Sequence, residues 1–188
     1  MHNLRVQKIP ECIVKWMKSF LSERSTRLQF NRAKSDSIRT PAGVPQGSPI
    51  SPLLYMYYNT DLLDITENRD SAVSLGFVDD IVYGVEGASD RGNARKINEI
   101  LRRVKEWRRK HGVQFETSKY VLVHYTRNRN KATKAAVNTN STRIQPSEEA
   151  KYLGIIFDKQ LRFKSHIAQT ICKGIAAAIA LSGIARCK

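Results

Sequence analysis

The sequence is short of cysteine and short of acid. Its 188 residues hold three cysteines, Cys12, Cys172 and Cys187. They are odd in number and far apart, with no CxxC pair, which argues against a disulfide scaffold or a zinc ribbon and fits a reducing compartment. The four histidines, His2, His111, His124 and His166, show no metal-ligand spacing and read as solvated or core-edge polar residues. Residues 1–10 lack the apolar centre of a signal peptide. No long hydrophobic run exists either: the most apolar stretch, Gly174 to Ala185, is too short to span a bilayer, so no membrane partner is expected. The sequon-like Asn140-Ser141-Thr142 has no secretion signal to give it meaning. Acids number 17 against 32 Lys and Arg, a net charge of +15. An excess of that size calls for a polyanion, most simply nucleic acid, whose counterions are released when Lys and Arg replace them. With 41% hydrophobic residues, a packed core is within reach.

Periodicity divides what remains. Pro10 and Glu11 suit a helix start, and Ile13, Trp16, Met17, Phe20 and Leu21 recur at helical spacing, predicting a helix over about 10–23. Thr26, Leu28 and Phe30 alternate with polar residues, as in a half-buried strand, with residues 37–40 as its hairpin partner. A loop from Pro41 to Ser48 follows. Ser48 is a candidate N-cap and Pro49 a candidate first residue of a helix reaching Asp64, whose wide apolar face predicts burial on more than one side. Residues 71–77 and 81–85 are β-rich, with Asp79-Asp80 between them at a hairpin tip. An amphipathic helix over about 90–110 ends at Gly112. Its Arg-rich face reads equally as solvated or as a nucleic-acid contact. Tyr120 to Tyr125 is a candidate strand, 127–141 a polar loop, and Arg143-Ile144 with 152–157 a further strand pair. Ile167, Ile171, Ile175 and Ile179 mark a last helix. The order predicts an α+β fold.

Asp79 and Asp80 carry the chemistry. Adjacent carboxylates repel unless a cation lies beside them, and Mg²⁺ accepts a few carboxylate oxygens together with waters and substrate phosphates. Alone, the pair reads as readily as a turn, where Asp is common.

The context adds to this. Gly43-Val44-Pro45-Gln46-Gly47-Ser48-Pro49-Ile50-Ser51-Pro52-Leu53-Leu54, followed after a helix by Phe77-Val78-Asp79-Asp80, resembles the palm of reverse transcriptases. The chain is similar in this respect to the polymerases of non-long-terminal-repeat (LINE-like) retrotransposons. Phe115 to Lys119 resembles the family's short motif ending in lysine, and Tyr152-Leu153-Gly154 its turn before the thumb. The resemblance covers nearly the whole chain.

That resemblance implies a partial polymerase palm over residues 1–160, an antiparallel sheet with helices packed on one face. Residues 161–188 would form a helix leading toward a connection or thumb. It implies an RNA-directed DNA polymerase, adding deoxynucleotides to a primer 3′-hydroxyl on an RNA template with two Mg²⁺ ions. Asp79 and Asp80 would be the catalytic carboxylates and metal ligands. Phe77 would pack under the primer end, and Pro45, Gln46 and Gly47 would lie against the nascent pair and incoming nucleotide. Lys119 would approach the triphosphate, and Tyr152, Leu153 and Gly154 would position the primer strand. Gln46 as a loop cap, Lys119 as a solvated lysine and Tyr152 as core packing remain alternatives. The family's third carboxylate lies on a strand upstream of the first helix. No Asp precedes residue 36 here, so a segment truncated at its N-terminus, lacking the fingers and inactive by itself, is expected. A non-catalytic nucleic-acid-binding remnant of a retroelement is the alternative, and an unstable relic a third. The location implied is intracellular, nuclear or cytoplasmic.

Overall fold

The computed structural model describes residues 1–67, 71–128, 133–139 and 142–185, with side chains to residue 182. Cys187 and the first two residues of the Asn140-Ser141-Thr142 sequon lie outside the described residues, as does part of the 127–141 loop. The chain divides into two compact units, residues 1–84 and 85–188.

The first unit opens with two helices, α1 (His2–Val6) and α2 (Glu11–Leu21). Pro10 is the N-cap of α2, and Glu11 sits in its first turn, where the exposed amides favour an acid. The half-buried strand expected over residues 26–30 is instead two exposed pieces of nested ribbons. Here β1 (Ser25–Thr26) pairs antiparallel with β4 (Ile38–Arg39), and β2 (Gln29–Phe30) pairs with β3 (Ala33–Lys34). Asn31 and Arg32, both at positive φ, close the inner turn, and Leu28 and Phe30 face solvent. Helix α3 (Ser51–Leu63) begins later than the sequence suggested, with Ile50 as N-cap and Pro52 in its first turn. It buries one side only: Leu54 and Leu62 are buried, whereas Leu53 and Met56 are exposed. Leu54 packs with Leu4 of α1 and Val14 of α2, and Met17, Phe20 and Tyr57 close around them.

Strands β5 (Ala72–Phe77) and β6 (Asp80–Val85) follow, joined by Val78 and Asp79 alone. A two-residue link imposes antiparallel pairing. Asp80 is therefore the first residue of β6, not a loop residue between the strands.

In the second unit, Ser89 caps α4 (Asp90–His111) by accepting from the Gly92 amide at 3.1 Å. Gly112, at φ +65°, ends it as the sequence predicted. Ala94, Ile100, Val104 and Trp107 form its buried stripe. The Tyr120–Tyr125 strand does not form: Leu122 makes a lone bridge to Pro146. Arg143-Ile144 (β8) pairs with Val137–Asn138 (β7), and not with the 152–157 segment. That segment closes on its own neighbour, β9 (Glu149–Tyr152) pairing with β10 (Ile155–Asp158). Helix α5 (Lys164–Ala185) completes the unit and contacts β10.

The fold is thus α+β. The expected antiparallel palm sheet is present among the described residues only as five separate two-stranded ribbons. The shortest have only two residues per strand, leaving few free ladder groups to recruit a further strand.

Candidate active site

Both parts of the sequence signature lie in the first unit, and one helix holds them. The loop from Pro41 to Ile50 is tied at its start by Arg24, whose guanidinium donates to the carbonyls of Ala42 (3.1 Å) and Gly43 (2.6 Å), and also to that of Leu21 (3.2 Å). At its end the buried Ser51 hydroxyl donates to the Pro45 carbonyl at 2.5 Å. Between these anchors Pro45 is half-buried, while Gln46 and Gly47 are exposed. Gly47 has φ +83°, a conformation that L side chains resist, and open space lies where its Cβ would be. The loop therefore presents backbone to whatever approaches Gly47.

The acid turn is held from further along the same helix. Asn59 is 4% exposed, and its side-chain amide donates to the Val78 carbonyl at 3.2 Å. Eight residues separate Ser51 from Asn59, about 12 Å along a helix axis. Val78 has φ +51°, and Asp79 does not share the positive sign. That is the pattern of a type II′ hairpin turn, whose first central position favours glycine. A β-branched valine there is strained. Behind the turn, the hairpin is fastened to the end of α3: the Tyr83 hydroxyl donates to the Leu62 carbonyl at 2.9 Å, and Ser74 donates to that of Leu63.

Asp79 and Asp80 are both exposed, and neither carboxylate makes a hydrogen bond or ion pair among the described residues. Two free acids side by side in so basic a chain are suited by type to a hard divalent cation. No group of three or more His, Cys, Asp or Glu that could hold a metal occurs among the described residues. Asp61 and Asp64, at the far end of α3, do not join the pair. Burial, and then Glu67 and Asp61, pushes Asp64 above the usual carboxylate range. Phe77 precedes the turn at the end of β5 and is exposed.

The other expected site residues belong to the second unit. Lys119 ends a 3₁₀ turn (Thr117–Lys119) and is exposed. Tyr152 ends β9, half-buried, and pairs with Ile155. Leu153 (φ +48°) and Gly154 (φ +84°) form the two-residue turn, with the double positive φ of type I′.

Sequence reasoning missed Arg24, Ser51 and Asn59. For Asn59 a signal existed: it shares a helical face with Ser51, Leu54 and Leu62, and a lone amide on an apolar stripe calls for a partner.

A loop and an acid turn carried on one helix, in this order and spacing, meet a family model over most of the chain. The model of the reverse transcriptase (RNA-dependent DNA polymerase) family matches residues 1–157, and the chain belongs to that family. It is a family of nucleotidyltransferases. More particularly, the chain is similar to polymerases of mobile elements. It is 30% identical over 163 residues to the probable RNA-directed DNA polymerase from transposon X-element of Drosophila melanogaster, covering 86% of this chain and 18% of that protein. It is 28% identical over 155 residues to the RNA-directed DNA polymerase from mobile element jockey of the same species, covering 80% of this chain and 17% of that protein. The chain thus spans less than a fifth of the length of these relatives. No solved structure matches.

Proposed function

We propose that this chain is the palm segment of a retroelement RNA-directed DNA polymerase, with the palm over residues 1–160 and a helix toward the thumb over 161–188. The observation that carries this reading is the double anchorage on α3: Ser51 holds the Pro45-Gln46-Gly47 loop, and Asn59 holds the turn bearing Asp79 and Asp80. A helix fixes the separation of its own residues, so loop and acids keep a constant spacing. Catalysis by positioning requires that.

The roles follow from the chemistry of the groups. Asp79 and Asp80 are the oxygen donors for divalent metal, which when bound would activate the primer hydroxyl and neutralise charge on the phosphates. Phe77 offers an apolar platform beside the acids for the primer end. Pro45, Gln46 and Gly47 bring backbone and one amide side chain to the nascent pair. Lys119 meets the charge that develops on departing pyrophosphate, and Tyr152, Leu153 and Gly154 steady the primer strand. The substrates are an RNA template, a DNA primer and deoxynucleoside triphosphates, reached in the nucleus or cytoplasm. Two carboxylates leave a pair of metal ions short of protein ligands, so the 188-residue chain is not sufficient for turnover.

Paramagnetic Mn²⁺ tests the site directly. Broadening of the Val78, Asp79 and Asp80 amide signals is expected, and its loss in the Asp79→Ala, Asp80→Ala double variant. Broadening confined to other acids would overturn the assignment. Primer extension on an RNA template with Mg²⁺ tests sufficiency: incorporation by the chain alone, abolished by Asp79→Ala, would overturn the insufficiency.

The +15 charge also favours a second reading, a non-catalytic nucleic-acid binder. It requires salt-sensitive binding that ignores both metal and Asp79→Ala.

A further inference from the structure

The second unit holds a cleft of about 530 Å³ between α4, the segment from Phe115 to Tyr120, and the β7 strand. That volume lies in the range of built ligand sites, about 300–1,000 Å³. Lys105 and Arg108 of α4 line it on one side and the rings of Phe115 and Tyr120 on another, with Asn98 and Thr139 between them. Among the described residues no carboxylate lines it.

Of the three cations lining this cleft, Arg102 is taken up by pairing along α4, and Lys105 and Arg108 are left over. Asp90 is occupied by the backbone amides of Lys134 (2.9 Å) and Ala135 (3.1 Å). Glu99 and Glu106 are occupied by Arg102, at 2.8 and 2.7 Å, and Glu99 also by Arg103. Those are all the acids of the helix, whereas Lys105 and Arg108 make no ion pair among the described residues. Favourable interaction with the helix C-terminus accounts for Arg108, Arg109 and Lys110 in the last turn. It does not account for Lys105, which lies further back. The walls of the cleft are also fixed. The Asn138 amide donates to the Asn98 side-chain oxygen at 2.9 Å, and Phe115 stacks on Trp107 with ring centres 6.3 Å apart.

We propose that this cleft binds a single-stranded segment of nucleic acid, its phosphate on Lys105 and Arg108 and a base against Phe115 or Tyr120. Cations that follow a backbone beside flat rings are the combination that grips single strands without reading sequence. An acidic peptide would use the cations but gain nothing from the rings. A duplex keeps its bases stacked and would also leave them unused. The inference goes beyond the polymerase reading and stands whether or not Asp79 and Asp80 hold metal, because the cleft lies wholly within the second unit.

Fluorescence anisotropy with a labelled oligouridine, in the presence of a chelator, tests it on the full chain. The Lys105→Ala, Arg108→Ala variant is expected to bind about tenfold more weakly, with a salt slope lower by about 0.7 for each phosphate no longer neutralised. Removing the same charge from α2 (Lys15→Ala, Lys18→Ala) is expected to change binding far less, and an equal weakening would overturn the proposal. Tyr120→Leu is expected to weaken oligouridine by about five- to tenfold while leaving the weaker binding of polyglutamate unchanged. Polyglutamate or a blunt duplex competing as well as oligouridine would overturn it. A measurement on the unaltered chain guards against misfolded variants: photocrosslinking of a 4-thiouridine strand is expected to label the peptide holding Phe115 to Tyr120. Adducts confined to residues 1–84 would overturn the proposal.

Discussion

The two units fasten their loops by different chemistry. In the first, the Arg24 guanidinium holds the start of the 41–50 loop, but neutral groups on or facing α3 do the rest of the fastening: Ser51 to Pro45, Asn59 to Val78, Tyr83 to Leu62, Ser74 to Leu63. In the second, carboxylates collect backbone amides. Asp90 holds Lys134 and Ala135, and Asp158 accepts from Gln160 (3.0 Å) and Arg162 (3.0 Å) just before α5. Neutral anchors, once hydrogen-bonded, can be buried at little cost and stay uncharged in acid, so they suit a turn that must carry two free acids and their cation. Carboxylate anchors bind more strongly at the surface but depend on pH. The contrast predicts that acid loosens the second unit's clamps and spares the anchors of the acid turn.

The largest effect expected in breaking that comparison comes from Asn59→Ala. The change removes a buried hydrogen bond, opens a small cavity and frees a strained turn, and about 2 kcal/mol of stability is expected to go with it. Urea unfolding measures the loss. Amide exchange at Val78 and Asp79 should quicken while exchange at Lys134 and Ala135 stays as it was. A uniform rise across both units would show that the anchor is not local.

Acidification gives the next effect. Hydrogen bonds from the amides of Lys134 and Ala135 hold the Asp90 carboxyl below the ordinary aspartate range, and that of Arg162 does most for Asp158. Both folded values are depressed, so both contributions are complete above about pH 4 and fade as the pH falls through the lower folded values. Exchange at Lys134, Ala135 and Arg162, corrected for its intrinsic pH dependence, should therefore rise in that window, while the amide of Val78 should show no matching step. Asp158→Asn sharpens the test. Asparagine keeps one acceptor oxygen, so near neutral pH the Arg162 amide should lose only part of its protection, and its acid step should vanish.

What the sequence disclosed follows the range of the interactions. Helices α2, α4 and α5 repeat apolar residues at helical spacing, and Gly112 marks an end, so each was legible from neighbours a turn apart. The pairing of the Pro45-Gln46-Gly47 loop with Asp79-Asp80 was legible because each piece is a distinctive local string. The five-residue α1 was not, since one turn shows no period. The ribbons were misread for another reason. Thr26, Leu28 and Phe30 alternate as a buried strand would, yet no described residue of the first unit covers Leu28 or Phe30, and alternation does not report what lies opposite. Tyr120 to Tyr125 has the composition of a strand but finds a single bridge partner. Asn59 escaped notice because its partner is a backbone carbonyl 19 residues away, and a carbonyl carries no sequence signature.

The smallest effect separates strain in the acid turn from its anchorage. Val78 occupies a position where glycine is favoured, and a valine at φ +51° costs on the order of 1–3 kcal/mol. Val78→Gly releases that strain but gives the unfolded chain more freedom, so the net gain is expected to be about 0.5–1 kcal/mol. If Asn59 holds the turn against its strain, the anchor matters less once the strain is gone. The Asn59→Ala penalty should then shrink in the Val78→Gly background, a coupling that a double-mutant cycle in urea reads directly. Full additivity would mean that Asn59 merely satisfies a carbonyl. With coupling, Mn²⁺ affinity at the hairpin should fall in Asn59→Ala and recover in part in the double variant, because a turn that no longer resists its shape presents Asp79 and Asp80 without help from α3.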